Sequence, residues 1–269
     1  REFQKKSRKK VGSSLDRGLD EATMVFLVTG GSRGIGRGIV LDVAAAGHDV
    51  AFTYVSRPEL AEEVVAQARR IAPERAVRAY ALDVRDSTAV EAVVDRVGED
   101  FDTIDVLVNN AGINRPGLAM AMSDEDWKDV LDVNLSGAFY MTRAVLPHFL
   151  AAGGGSFIHI SSIATYGITG QISYCASKAG LCGLSAGLAK EYGKKAVRSN
   201  VLMLGLFDTD MVREGLSKSN REFWLQYCPA GRFGEVREIS AACLYLASDA
   251  ARFVTGQVIT LTGGLEHAP

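Results

Sequence analysis

Val25-Phe26-Leu27-Val28-Thr29-Gly30-Gly31-Ser32-Arg33-Gly34-Ile35-Gly36 is the stretch that decides the fold. A short apolar run ends in a glycine-rich turn, and an amphipathic segment begins directly after it. That order reads as strand, turn and helix. Gly30, Gly34 and Gly36 lack side chains, so the backbone can turn tightly and an anion can approach the helix N-terminus, where unpaired N–H groups and the helix dipole favour negative charge. The expected ligand is the pyrophosphate of a dinucleotide. Glycine loops also mark ordinary turns, so the reading depends on the rest of the chain.

Outward from this loop, apolar runs alternate with helical periods, the mark of a parallel sheet covered on both faces. Strands are expected at 25–29, 50–54, 77–82, 104–108, 156–160, 197–203 and 258–261, and helices near 34–46, 59–71, 88–99, 124–150, 174–192 and 236–247. Ser87 and Ser123 are the expected N-caps. The fold class is α/β, a single Rossmann-type doubly wound domain with a seven-stranded parallel sheet flanked by helices. Ligands of such sheets lie beyond the C-terminal strand ends. Polar or glycine-containing loops follow the strands at those ends: Asp83-Val84, Asn109-Asn110-Ala111-Gly112, Ser161-Ser162 and Leu204-Gly205.

The 269 residues, 47% hydrophobic and 23% charged, suffice for one large core. A net charge of −2 and a pI near 6.1 argue against nucleic-acid or membrane-surface partners. Residues 1–10 carry six Lys/Arg against one Glu without an apolar run behind them. Residues 1–23 therefore read as a basic extension, disordered or vector-derived, ahead of a natural start at Met24 and a domain over 24–269. A basic arm for anionic partners is the sharper alternative. Cys175, Cys182, Cys228 and Cys243 have neither CxxC spacing nor disulfide-scaffold density, which reads as reduced thiols in a cytoplasmic protein. The four histidines share no metal-ligand spacing, and no metal is expected.

Tyr174-Cys175-Ala176-Ser177-Lys178 is the second informative stretch. Residues four apart share a helix face, so a phenol and an ammonium can enter one site. A neighbouring cation stabilises phenolate and is expected to lower a pKa that is ordinarily about 10, making Tyr174 a usable acid or base.

Together with TGGSRGIG, NNAG, Asn134, ISS and the C-terminal TGQ and TGG, this stretch resembles the short-chain dehydrogenase/reductase family over about residues 24–264. The resemblance implies that Tyr174 exchanges the proton and that Lys178 binds the nicotinamide ribose while depressing the phenol pKa. It implies further that Asn134 holds a proton-relaying water and that a serine hydrogen-bonds the substrate carbonyl. The family's usual spacing to the tyrosine points to Ser161, and its Ile-Ser-Ser signature points to Ser162. Ser162 is taken as catalytic. The cofactor set carried over is Gly30, Ser32, Arg33, Gly34, Ile35, Gly36, Arg57, Asp83, Val84, Asn110, Ala111, Gly112, Tyr174, Lys178, Gly205 and Thr209.

Leu204 stands where the family usually has proline, so a looser loop is expected there. The run Phe52-Thr53-Tyr54-Val55-Ser56-Arg57 has no acid to meet a ribose hydroxyl, which favours NADP(H), with Arg33 and Arg57 as cations for its 2′-phosphate. Segment 109–134 most resembles β-ketoacyl-ACP and acetoacetyl-CoA reductases, implying a 3-oxoacyl thioester substrate on acyl carrier protein or CoA. A secondary-metabolism ketoreductase, a general alcohol dehydrogenase and a non-catalytic dinucleotide sensor are the alternatives. A homotetramer is expected through helices 124–150 and 174–192, which carry surplus apolar residues such as Phe139, Val145, Leu181, Leu184 and Leu188.

Overall fold

The computed structural model describes residues 23–209 and 218–265; the basic extension as far as residue 22 lies outside them. Seven parallel strands form one sheet: β1 (Val25–Val28), β2 (Asp49–Tyr54), β3 (Val77–Ala81), β4 (Val106–Asn109), β5 (Gly155–Ser162), β6 (Val197–Leu204) and β7 (Val258–Leu261). Their order is β3-β2-β1-β4-β5-β6-β7. The order reverses between β1 and β4, which opens a crevice at their C-terminal ends.

Alternation along each strand divides the core in two. Phe26, Val28, Phe52 and Ile158 face helices α1 (Gly34–Ala45), α2 (Pro58–Ile71) and α8 (Val236–Ala247). Leu27, Ala51, Leu107 and Phe157 face α3 (Ser87–Phe101), α5 (Gly137–Ala152) and the far half of α6 (Ile172–Tyr192). Burying each large apolar side chain contributes on the order of 1.5–3 kcal/mol. Helices α4 (Asp124–Leu131) and α7 (Lys218–Gln226) complete the described elements of that type.

The structure corrects several expectations. Ser123 caps α4, accepting from Asp126 N–H, but Ser87 is the first residue of α3; Asp86 caps it, accepting from the amides of Thr88 and Ala89. A carboxylate one residue earlier can reach both amides. The expected single helix at 124–150 is interrupted by a π turn at Asp132–Ser136, centred on Asn134. Leu204 is not on a loose loop. It is buried and ends β6, in register with Ser162 on one side and Leu261 on the other, so strand pairing restrains it where a ring would have. Of the residues taken as surplus apolar surface, Val145, Leu181 and Leu188 are buried in this chain's own core and Leu184 packs against it. Phe139 remains exposed, with the Arg143 guanidinium 5.4 Å from its ring centre.

Candidate active site

The glycine loop is held from two sides. From β2, Thr53 receives the amides of Gly30 and Gly31, at 3.3 Å on its hydroxyl and 2.8 Å on its carbonyl. From beyond β4, the Asn110 side-chain amide donates to the carbonyls of Thr29 and Gly30, at 2.8 and 3.2 Å. The Thr29 hydroxyl accepts the amides of Asn110 and Ala111, at 3.0 and 2.9 Å. Asn110 and Ala111 thus shape the loop, and Thr29 shares that work, a role its place in the motif could have signalled.

Gly30 and Gly34 have φ of +68° and +55°, a region that L side chains disfavour. A Cβ on Gly36 would lie 2.2 Å from the Gly30 carbonyl oxygen. Arg33 occupies the N-cap of α1 without a side-chain cap bond, leaving the helix's first amides to be met by something else. Ser32 and Ile35 flank it, with Ile35 turned onto the core. This bare backbone cradle fits a dinucleotide pyrophosphate.

The cations assigned to the 2′-phosphate stand at the surface. Arg33 is exposed, and Arg57, with φ of +61° at the start of α2, pairs through Nε with Glu59 at 3.0 Å. That pairing occupies one edge of the guanidinium and holds the Glu59 carboxyl below its ordinary value. Asp83 is gripped by Arg85, which also reaches Asp129 at 2.6 Å, while Val84 is buried against Gly137. The Arg85 hydrogen bonds keep the Asp83 carboxyl below the usual carboxylate range.

Across the crevice, Ser162 at the end of β5 faces the half-buried Tyr174, whose pKa it lowers, and accepts from Ala164 N–H at 3.1 Å. Lys178 is buried; its Nζ donates to the Ile160 carbonyl at 2.8 Å and lies 5.5 Å from the Tyr174 ring centre. A Cβ on Gly112 would stand 3.4 Å from that Nζ and 3.3 Å from Asn134 Oδ1, so these groups share one pocket. Asn134 is buried, accepts from Ile113 N–H at 2.8 Å, and donates to the Ile113 carbonyl and to Ser177 Oγ, each at 3.0 Å. It thereby joins the loop after β4 to α6. Ser177, inside the tyrosine motif but not singled out in the sequence, donates in turn to the Tyr174 carbonyl at 2.8 Å.

The electrostatics depart from expectation. Burial raises the Tyr174 phenol above its ordinary value, and the lowering contribution comes from Ser162 rather than Lys178. Burial also pulls the Lys178 ammonium down to about 8. Both shifts follow from moving the charged form out of water. Ser161, by contrast, is buried and points its hydroxyl at the Lys178 carbonyl, 2.9 Å away.

At the far strand ends, Gly205 N–H donates to Leu261, and a Cβ on Gly205 would lie 2.9 Å from Thr262 Cα. Thr209 closes the described stretch, its amide donating to the Phe207 carbonyl at 2.9 Å. Among the described residues no group of His, Cys, Asp and Glu could hold a metal ion, and no helix is long and apolar enough to cross a membrane.

A glycine cradle at the switch point and a tyrosine–lysine–serine cluster facing it define an oxidoreductase acting on CH–OH or C=O groups. A family model described as Enoyl-(Acyl carrier protein) reductase matches residues 30–266. The chain is 40% identical over 242 residues to the 3-oxoacyl-[acyl-carrier-protein] reductase FabG of Escherichia coli, covering 90% of this chain and 96% of that one. It is equally 40% identical to the Thermotoga maritima protein of the same name, covering 90% and 97%. Among solved structures it resembles levodione reductase, with a TM-score of 0.87 at 32% identity over 90% of this chain and 97% of that one. It also resembles a gluconate 5-dehydrogenase from Burkholderia cenocepacia in complex with NADP and tartrate, with a TM-score of 0.84 at 32% identity, covering 91% and 96%. The chain belongs to the short-chain dehydrogenase/reductase family.

Proposed function

We propose that this protein is an NADPH-dependent reductase that converts a 3-oxoacyl thioester, carried on acyl carrier protein or CoA, to the 3-hydroxyacyl form. The observation that carries the reading is the Lys178 ammonium 5.5 Å from the Tyr174 ring centre, in a pocket that Asn134 and Gly112 share and with Ser162 at the strand end facing it. A phenol whose pKa is raised stays protonated at neutral pH, which suits a proton donor in reduction.

When bound, NADPH supplies the hydride. Lys178 keeps a positive charge next to the ribose side of the pocket, its remaining two N–H groups being available to cofactor hydroxyls. Ser162 orients the substrate carbonyl and stabilises charge growing on its oxygen, and Tyr174 delivers the proton to that oxygen. Asn134, at the centre of the π turn, fixes the loop after β4 against α6 and lies beside the Lys178 pocket, where it is suited to anchor a water that returns a proton toward Lys178. Gly30, Ser32, Arg33, Gly34, Ile35 and Gly36 hold the pyrophosphate; Asp83, Val84, Asn110, Ala111 and Gly112 line the adenosine and ribose side; Gly205 and Thr209 meet the nicotinamide.

Preference for NADPH over NADH rests on the absence of an acid in residues 52–57 and on exposed Arg33 and Arg57. The NADP in the gluconate 5-dehydrogenase complex supports it. Thioester chemistry is supported by the relatives' names. For the carrier, the end of α5 offers little support, since residues 151–155 are Ala-Ala-Gly-Gly-Gly and give an acidic carrier protein no cation; Lys194 and Lys195 keep a separate exposed basic spot. The setting proposed is cytoplasmic. The assembly proposed is a homotetramer using α5, where Phe139 and Leu150 stay exposed.

The test follows NADPH oxidation with acetoacetyl-CoA, the matching carrier thioester, a small ketone panel and crotonyl-CoA. Turnover of the 3-oxo substrates and none of crotonyl-CoA is expected; reduction of crotonyl-CoA alone would make the protein a C=C reductase. No oxidation of NADPH by any of them, despite tight binding, would make it a sensor. Light scattering returning the 28.8 kDa monomer mass at micromolar concentration would refute the tetramer.

A further inference from the structure

The hydroxyl of Ser161 is not spent on satisfying an orphan. The Lys178 carbonyl that it reaches lies in mid-helix, where the backbone ladder already supplies a donor. A second bond on the other lone pair adds nothing to the helix itself. What it fixes is the position of this turn against β5. The same lysine returns a bond from its other end, Nζ donating to the carbonyl of Ile160, the neighbour of Ser161. Lys178 is therefore clamped to two consecutive strand residues, once through its main chain and once through its ammonium. Thr165 Oγ1, 3.2 Å from Ser161 Oγ, braces the hydroxyl from the turn that follows β5.

We propose that Ser161 is a positioning residue, which holds the α6 turn carrying Lys178 against β5 and so sets the depth of the ammonium and its distance from Tyr174. A helix allowed to ride away from the strand would let water reach Nζ. The groups facing that ammonium are Tyr174 on its own helix, the neutral His159 of β5, Asn134 of the π turn and Gly112 of the loop after β4. No carboxylate pairs with it among the described residues, so solvation is what governs its charge.

The activity readout rests on the proposed reductase reading; the titration readout does not. Ser161→Ala is compared with Ser161→Thr, which keeps the hydroxyl, and with Ser161→Cys, a weaker donor of similar size that serves if the alanine variant does not fold. In 13C-lysine NMR of the cofactor-free protein, Ser161→Ala should move the Lys178 midpoint upward from about 8, Ser161→Cys less far, and Ser161→Thr not at all. In turnover, kcat for Ser161→Ala should fall about tenfold, as small misplacements do, with KM values within about twofold and the alkaline limb displaced the same way. A Lys178 midpoint unchanged in both the alanine and the cysteine variants overturns the proposal, whatever happens to melting temperature. Wild-type protein that reduces no carbonyl would sink the reductase reading and leave the titration to decide on Ser161.

Discussion

A phenol beside an ammonium is expected to ionise more readily, yet in this site desolvation outweighs the neighbour. Tyr174 is shifted upward and Lys178 downward, both toward their neutral forms. The proton that the proposed reduction needs is thus already in place on Tyr174 at neutral pH. Tyr174→Phe should lower turnover by about two orders of magnitude or more while leaving the NADPH dissociation constant within about twofold, measured by fluorescence titration. Ser162→Ala should cost about 2–4 kcal/mol of transition-state stabilisation in kcat/KM, the scale of a lost oxyanion donor. Equal losses for Ser162→Ala and Ser161→Ala would show that the two serines cannot be told apart by role. Sequence narrowed the serine to two neighbours because motif and spacing disagreed by one residue; only the direction of each hydroxyl separates them, Ser162 toward Tyr174 and Ser161 toward the Lys178 carbonyl. Pattern reading is blind to such directions at a strand end, where alternation gives way to the following turn.

At the scale of elements, the strand–loop–helix unit around Gly30–Gly36 was legible because each glycine answers a local steric demand. Gly36 answers the tightest one. Gly36→Ala should weaken NADPH binding at least tenfold and lower stability by about 1–3 kcal/mol, since its Cβ would meet the Gly30 carbonyl and the Asn110 amide that shapes the loop. Gly34→Ala meets open space and should cost only the positive-φ penalty, about 1 kcal/mol. Urea melts and cofactor titrations on both variants check the contrast. The π turn was not legible: apolar periodicity runs on through 124–150, while the insertion depends on what Asn134 bonds across space, Ile113 and Ser177. Helix α7 escaped notice for another reason, its polar sequence Lys-Ser-Asn-Arg-Glu offering no apolar stripe until Phe223 and Trp224.

Across the whole molecule, a polar seam runs through the sheet beneath the site. His159 on β5 is fully buried between Asn109 of β4, 3.2 Å from Nδ1, and Ser199 of β6, 3.2 Å from Nε2, and Ser199 continues to Ser185 of α6 at 2.9 Å. Asn109 also donates to Thr142 of α5. Burial, with a smaller contribution from Lys178, pulls the His159 pKa down to about 4. The unfolded chain takes up this proton near pH 6.5 and the folded one does not, so stability is complete above about 6.5 and is lost as pH falls toward about 4. Guanidinium unfolding at pH 7 and pH 4.5 should show wild type losing about 2–3 kcal/mol more than His159→Gln over that interval. Equal losses would mean that the imidazole does not titrate as its surroundings dictate.

The strand order that makes the cofactor crevice also sets when that crevice can exist. Thr29 and Asn110 lie 81 residues apart in sequence, and until the ribosome has delivered β4 nothing clamps the glycine loop from that side. Contacts of such separation form late, because the intervening chain must surrender its freedom before they can repay it. A nascent chain halted before Asn110 would carry the complete glycine signature yet lack the loop's finished shape, and a cofactor could assist folding only after the fourth strand had docked.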